Sequence, residues 1–131
     1  MGIDDLIKDF AALPEWDERY AYLIELGRRL PPMAPEKKTD AARVKGCASS
    51  VWMDRSRDAE GRNHFIFDSD ALIVKGLLYV IYAAVEGKTA DEIREIDING
   101  TFGALGLPAH LSAQRLAGLH SVAERIRSPE P

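Results

Sequence analysis

Along this chain apolar residues recur first at helical spacing, then in strict alternation, then at helical spacing again. Ile3, Leu6, Ile7, Phe10 and Ala11 fall on one side of a 3.6-residue period and predict a short amphipathic helix. A second helix is expected from Pro14, whose fixed φ and missing N–H suit a first turn, with Trp16, Tyr20, Leu23, Gly27 and Leu30 along one stripe. Pro31-Pro32 stop it, and PPMAPEKKTDAA reads as an extended, solvated connection within one domain. The period then drops to two: Val51 and Met53 alternate with Trp52 and Asp54, and Phe65 and Phe67 with His64 and Ile66. RSRDAEGRN between them carries the residues of a hairpin connection. A short extended piece around Arg43 to Lys45 is expected to add a third strand, leaving Gly46 and Cys47 at a corner.

Helical spacing returns at Ala71 to Val85, a segment apolar on most sides and therefore expected at the centre of the core. Asp68, Ser69 and Asp70 offer cap candidates at its start, and Gly87 ends it. Thr89 to Glu92 has capping-box spacing, NGTFGALGLPAH reads as turns around one short helical piece, and Ser112 caps a last helix bearing Leu116, Leu119, Val122 and Ile126. Helices at both ends of three short strands define an α+β domain, with helices packed on one face of a small antiparallel sheet, over the whole of 1–131.

Composition narrows the function classes. A net charge of −4 with interspersed signs lacks the clustered Lys and Arg of a nucleic-acid face. The longest apolar run is interrupted by Lys75 and Gly76, so no membrane span is expected. The acidic start MGIDDLIKDF lacks the basic opening of a secretory signal, and a cytoplasmic protein is the expectation. One cysteine can form neither an internal disulfide nor a multi-cysteine zinc or iron–sulfur site.

That cysteine lies in RVKGCASSVW. Free cysteine is often a buried filler. Here Gly46, Ala48, Ser49 and Ser50 supply little bulk to cover a thiol, and Arg43 and Lys45 can lower its pKa if they point toward it. From these residues alone a reactive and a structural Cys47 both stand. Arg115 sits three residues after the Ser112 cap, where Glu or Gln would complete a capping box. A cation there opposes the helix dipole, which suggests an ion pair or a partner's carboxylate, although a solvated surface arginine is the simpler reading. His64, His110 and His120 raise a Cys–His nucleophilic pair without a recognisable setting for one, and no spacing supports a metal site. Asp68 and Asp70 read as cap acids in preference to a catalytic pair.

Four stretches in order, WDERYAYLIELGRRLPP, RVKGCASSVW, DSDALIVKGLLYVIYAAVEGKTADEI and HLSAQRLAGL, resemble the SufE family of sulfur acceptors and cover about Phe10 to Arg127. The resemblance implies a SufE/NifU-like fold. It implies that Cys47 takes a sulfane sulfur from a cysteine desulfurase as a transient persulfide, stimulates that enzyme, and relays the sulfur to an iron–sulfur scaffold or another acceptor. It implies no resident cofactor or metal, no enzymatic activity of its own, and a monomer or weak dimer. Arg115 matches the arginine of the family's Ser-x-x-Arg-x-x-Gly motif, which ends here at Gly118. Asp70 matches the start of the family's central helix, and Arg43, Gly46, Ala48, Ser49 and Ser50 complete the expected cysteine loop and partner-binding set. Cluster scaffolds of the same fold carry further cysteines that this chain lacks. The family's Gly-Cys-Gln-Ser-Gln-Val-Trp is altered: Ala48 and Ser50 stand in place of both glutamines, and Leu116 and Ala117 lie where Asn is often found.

Overall fold

The structure is a computed structural model that describes residues 2–47 and 49–128. Its elements run α1 (Ile3–Ala11), α2 (Trp16–Gly27), β1 (Val51–Arg57), β2 (Asn63–Ser69), α3 (Leu72–Val85), α4 (Ala90–Glu95), α5 (Ile98–Ala104) and α6 (Ala113–Arg127), with 3-10 turns at Pro35–Lys37 and Pro108–His110. The class is α+β, as the alternation of periods predicts.

Helix α3 is the centre. Ten of its residues are buried, and it packs against α2, β2 and α1. Burying each large aliphatic side chain contributes about 1.5–3 kcal/mol, so this helix has no stable place at the surface. Its approach to α2 is set by two glycines. A Cβ on Gly76 would collide with the Leu23 carbonyl oxygen, and one on Gly27 would lie 2.8 Å from the Gly76 nitrogen. The buried stripe of α2 is Leu23, Leu26 and Gly27; Tyr20, expected on it, is 43% exposed, and Leu26 is buried instead. Pro14 lies before the helix, which starts at Trp16.

The sheet has two strands, paired antiparallel with Met53 opposite Phe67 and Arg55 opposite Phe65. Val51, Met53, Phe65 and Phe67 point to the core, as the alternation predicts. The expected third strand at Arg43 to Lys45 does not form. That segment makes one bridge, Arg43 to Trp52, with Val44 N–H donating to the Val51 carbonyl at 2.8 Å and Met53 N–H to the Ala42 carbonyl at 2.9 Å. Two constraints hold it to that bridge. Gly46, at φ 89°, turns the chain away on one side, and on the other the Ala42 N–H donates to Thr39 Oγ1 at 3.2 Å in place of the Met53 carbonyl.

The acids before α3 do not cap it. The helix begins at Leu72 after Ala71, with no side-chain cap, and Asp68 instead pairs with Lys38 at 2.6 Å and Lys75 at 3.6 Å. Gly87, at φ 76°, ends α3 as expected. The Thr89–Glu92 capping box and the Ser112 cap are both present. The segment read as turns around one helical piece contains α5, capped by Asp97, and the turn at Pro108–His110.

At the far end of the hairpin His64 lies between two carboxylates, Nδ1 at 2.7 Å from Glu86 and Nε2 at 2.8 Å from Asp58. Hydrogen bonds to Asp58 and then Glu86 raise the imidazole pKa, and the same bond lowers that of Asp58.

Two of these contacts can be tested directly. Gly76→Ala should lower the urea midpoint, at a cost of about 1–3 kcal/mol or more, because backbone and not a flexible side chain occupies the space. Gly103→Ala, which meets nothing within 4 Å, is the control and should not destabilise the fold. For His64 the folded-state pKa lies above the unfolded one. Its stabilisation is therefore complete below about pH 6.5 and is lost as pH rises through the folded value. The stability difference between wild type and His64→Gln should shrink as pH is raised; a difference independent of pH would show that the imidazolium does not clamp the hairpin.

Candidate functional site

The segment 43–50 is tied down at both ends. On the entry side Arg125 Nη1 and Nη2 donate to the carbonyls of Arg43 and Ala41, at 2.8 and 2.6 Å. On the exit side both backbone groups of Ser50 are held: its N–H donates to Asp70 Oδ1 at 3.1 Å, and its carbonyl accepts from Ser69 Oγ at 2.7 Å. Gly46 faces α6 so closely that a Cβ would meet Ser121 Oγ at 2.6 Å, and its left-handed φ excludes other residues for a second reason.

Between these ties Cys47 rests on α6. Its Sγ donates to the Gly118 carbonyl at 3.5 Å, and a Cβ on Gly118 would stand 3.3 Å from that sulfur. Gly118 thus lets the thiol approach the helix backbone. Beneath it lies a cavity of about 30 Å³, walled by Val74, Leu77 and Leu78 of α3 and by Leu119 and Val122 of α6. Ser49, Val51, Gln114, Arg115 and Gly118 complete its lining. The thiol is half-buried, and burial pushes its pKa up; Arg43 pulls it down without offsetting the burial. The resting group is therefore a protonated thiol, a better hydrogen-bond donor to Gly118 than a nucleophile.

Arg115 is not a solvated surface arginine. It is half-buried, its Nη1 is inside the protein, and that atom has no hydrogen-bond partner among the described residues. Its backbone N–H donates to the Ser112 cap at 3.2 Å, so the cap holds with a cation in the first turn. The two features of Arg115, position and lack of an acceptor, agree with a guanidinium committed to something other than the helix.

Of the residues expected to form a site, Cys47, Ser49 and Arg115 share the cavity. Gly46, Ser50 and Asp70 shape and tie the loop, and Arg43 is exposed beside it. Ala48 lies outside the described residues. Sequence reasoning missed the role of Ser69, because a hydroxyl between two aspartates before a helix reads as a cap; nothing local says that it reaches back to Ser50. No histidine lines the cavity. His64 serves the hairpin and His110 stacks on Trp16 with ring centroids 3.9 Å apart. Among the described residues no three His, Cys, Asp or Glu side chains gather as a metal site, and no helix is long and apolar enough to cross a membrane.

Fold and site together define an α+β domain that presents its single cysteine over an apolar cavity, beside an arginine with an unsatisfied buried nitrogen. The chain belongs to the SufE family, described as an Fe-S metabolism associated domain, which matches residues 4–129. It is 43% identical over 130 residues to an uncharacterised SufE-like protein of Rhizobium meliloti, covering 97% of this chain and 93% of that one. It is 42% identical over 123 residues to the sulfur acceptor protein CsdE of Escherichia coli, covering 94% and 84%. The solution structure of a hypothetical protein from Thermus thermophilus has the same fold, with a TM-score of 0.76 at 22% identity over 95% of this chain and 90% of that one.

The exit tie generates a prediction. Asp70→Ala removes the acceptor of the Ser50 amide, a bond of about 1 kcal/mol, and should raise the alkylation rate of Cys47 by iodoacetamide roughly fivefold. An unchanged rate would mean that this bond does not restrain the loop.

Proposed function

We propose that this protein is a sulfur acceptor and carrier whose Cys47 receives sulfane sulfur from a cysteine desulfurase, stimulates that enzyme by removing its product, and passes the sulfur toward iron–sulfur cluster assembly. The observation that carries this reading is the lone thiol seated over an apolar cavity of about 30 Å³. That volume exceeds the roughly 10–15 Å³ that seats one water-sized group, so there is room for one added sulfur. The family and the likeness to CsdE support the reading.

In the transfer step Cys47 thiolate attacks the terminal sulfur of the donor's Cys–S–SH. A bond forms between Cys47 Sγ and that sulfur, and the donor's own S–S bond breaks. The donor cysteine leaves with the bonding electron pair and is protonated to a thiol. The outgoing persulfide is Cys47–S–SH, and no external oxidant or reductant is consumed. The resting thiol is protonated, half-buried and bonded to the Gly118 carbonyl, so lifting the loop from Gly118 exposes it fully and frees it to react. Asp70 and Ser69 hold the side from which it lifts. Once out of the cavity the thiol loses the burial that raises its pKa and keeps Arg43 nearby, which favours the thiolate at the moment of contact. Returning to the cavity shields the product from water and oxidants. Arg115, with its free buried nitrogen, is the group placed to meet a charged sulfur or a partner carboxylate there.

Incubation with cysteine and a cognate desulfurase should add one reducible sulfur, about 32 Da, to Cys47. Cys47→Ser should fold, gain no mass and fail to stimulate the desulfurase. Equal stimulation by Cys47→Ser and wild type would exclude the carrier role.

A further inference from the structure

Outside the cavity, the surface on the entry side of Cys47 has a charge that the acceptor chemistry does not itself require. A groove lined by Asp40, Arg43, Val44, Lys45, Gly46 and Cys47 opens at the thiol. It continues along α6 past Ser121 and Arg125. Arg43 and Lys45 are exposed, and among the described residues neither side chain meets a carboxylate. Elsewhere on the surface Arg28, Arg62 and Arg94 each sit against one. Arg125 is fixed in the groove by the Arg43 and Ala41 carbonyls, which hold its charge in place. The lining thus carries three cations against the single carboxylate of Asp40, on a protein whose net charge is −4.

We infer that this groove is the docking track for an acidic, extended segment of the sulfur donor, which leads the donor's cysteine to Cys47. The inference rests on the carrier reading above. Three features favour such an occupant. The cations are confined to the side of the thiol where the chain enters the loop, and they are not neutralised internally. The track ends at the reactive atom, so a segment lying in it delivers a sulfur to one place. On a protein of net charge −4, a local positive channel at the thiol selects the orientation of encounter as well as its rate. Nucleic acid is disfavoured, since three cations on an acidic surface are too few for a phosphate track.

The test has a transfer arm and a binding arm. In the first, the second-order rate of sulfur loading from the cognate desulfurase is measured from about 0.05 M to about 0.5 M salt, with each variant's iodoacetamide rate as a control for thiol reactivity. Wild type should slow by roughly tenfold or more across that range. Lys45→Glu should slow loading at low salt by a similar factor and flatten the salt dependence, with its maximal rate at saturating donor little changed. Arg43→Glu with Lys45→Glu should extend the effect. In the second arm, labelled poly-L-glutamate should bind wild type and lose binding in both variants, whatever the outcome of the sulfur assay. Loading of Lys45→Glu and the double variant at the wild-type rate and salt dependence would overturn the inference while leaving the carrier role intact. Absent sulfur gain with retained, Lys45-dependent poly-L-glutamate binding would overturn the carrier role and leave the acidic track standing. Tighter binding of an oligothymidylate of matched charge would overturn the acidic-peptide assignment.

Discussion

Helix α3 can lie only in the middle of this molecule, and the rest of the structure accommodates that fact. With Leu, Val, Ile and Tyr on nearly every side, it must be covered by α2, α1 and the hairpin at once. The gap left for α2 is set by backbone meeting backbone at Gly76 and Gly27, with no side chain between. Once α3 is so placed, its N-terminal half has one remaining face, formed by Val74, Leu77 and Leu78, and α6 closes over it with Leu119 and Val122. The cavity beneath Cys47 is what remains between these two helices. The site is thus a product of core packing and not an addition to it.

The thiol above that cavity answers two opposed demands. Chemistry wants a thiolate in the open, and a cell wants a lone thiol hidden. The fold meets the second in part, by half-burying the thiol and holding it to the Gly118 carbonyl. Arg43 stands at the loop mouth, where its pull on the thiol is outweighed by burial. The burial that partly covers the thiol also raises its pKa, and the hydrogen bonds of Asp70 and Ser69 hold the exit of its loop.

Most of the fold is legible in local pattern because most of it is decided by burial. The alternation at Val51 to Asp54 and His64 to Phe67 locates the hairpin, and the unbroken apolar run at α3 locates the core. Arg43 to Lys45 has a strand's composition, and the third strand fails because the chain turns at Gly46 and the Ala42 N–H turns back to Thr39. Asp68, Ser69 and Asp70 look like caps for a similar reason: Asp68 pairs with Lys38, and Ser69 and Asp70 reach Ser50, some twenty or more residues back in the chain. Both Tyr20 and Leu26 lie three residues from Leu23, and the close approach of Gly27 to Gly76 buries the Leu26 side while Tyr20 stays 43% exposed. Cys47 and Arg115 stand out locally, as a lone thiol at a glycine corner and a cation in a first turn. Their meeting at one cavity is supplied by the path of the chain, and no local pattern encodes that.

The missing glutamines carry less weight at position 50 than the family pattern suggests. The loop exit is held through the Ser50 N–H and carbonyl, by Asp70 and Ser69, and any residue with an ordinary backbone supplies the same two groups. Ser50 therefore preserves the tie that a glutamine would have had. What a glutamine side chain would add at this point is reach and hydrogen-bonding capacity beyond the loop, toward whatever docks there. A chain that keeps the backbone tie and gives up the amide has kept the restraint on its thiol and relaxed the polar readout around it. The charges of Arg43, Lys45 and Arg125 border the same loop on its other side.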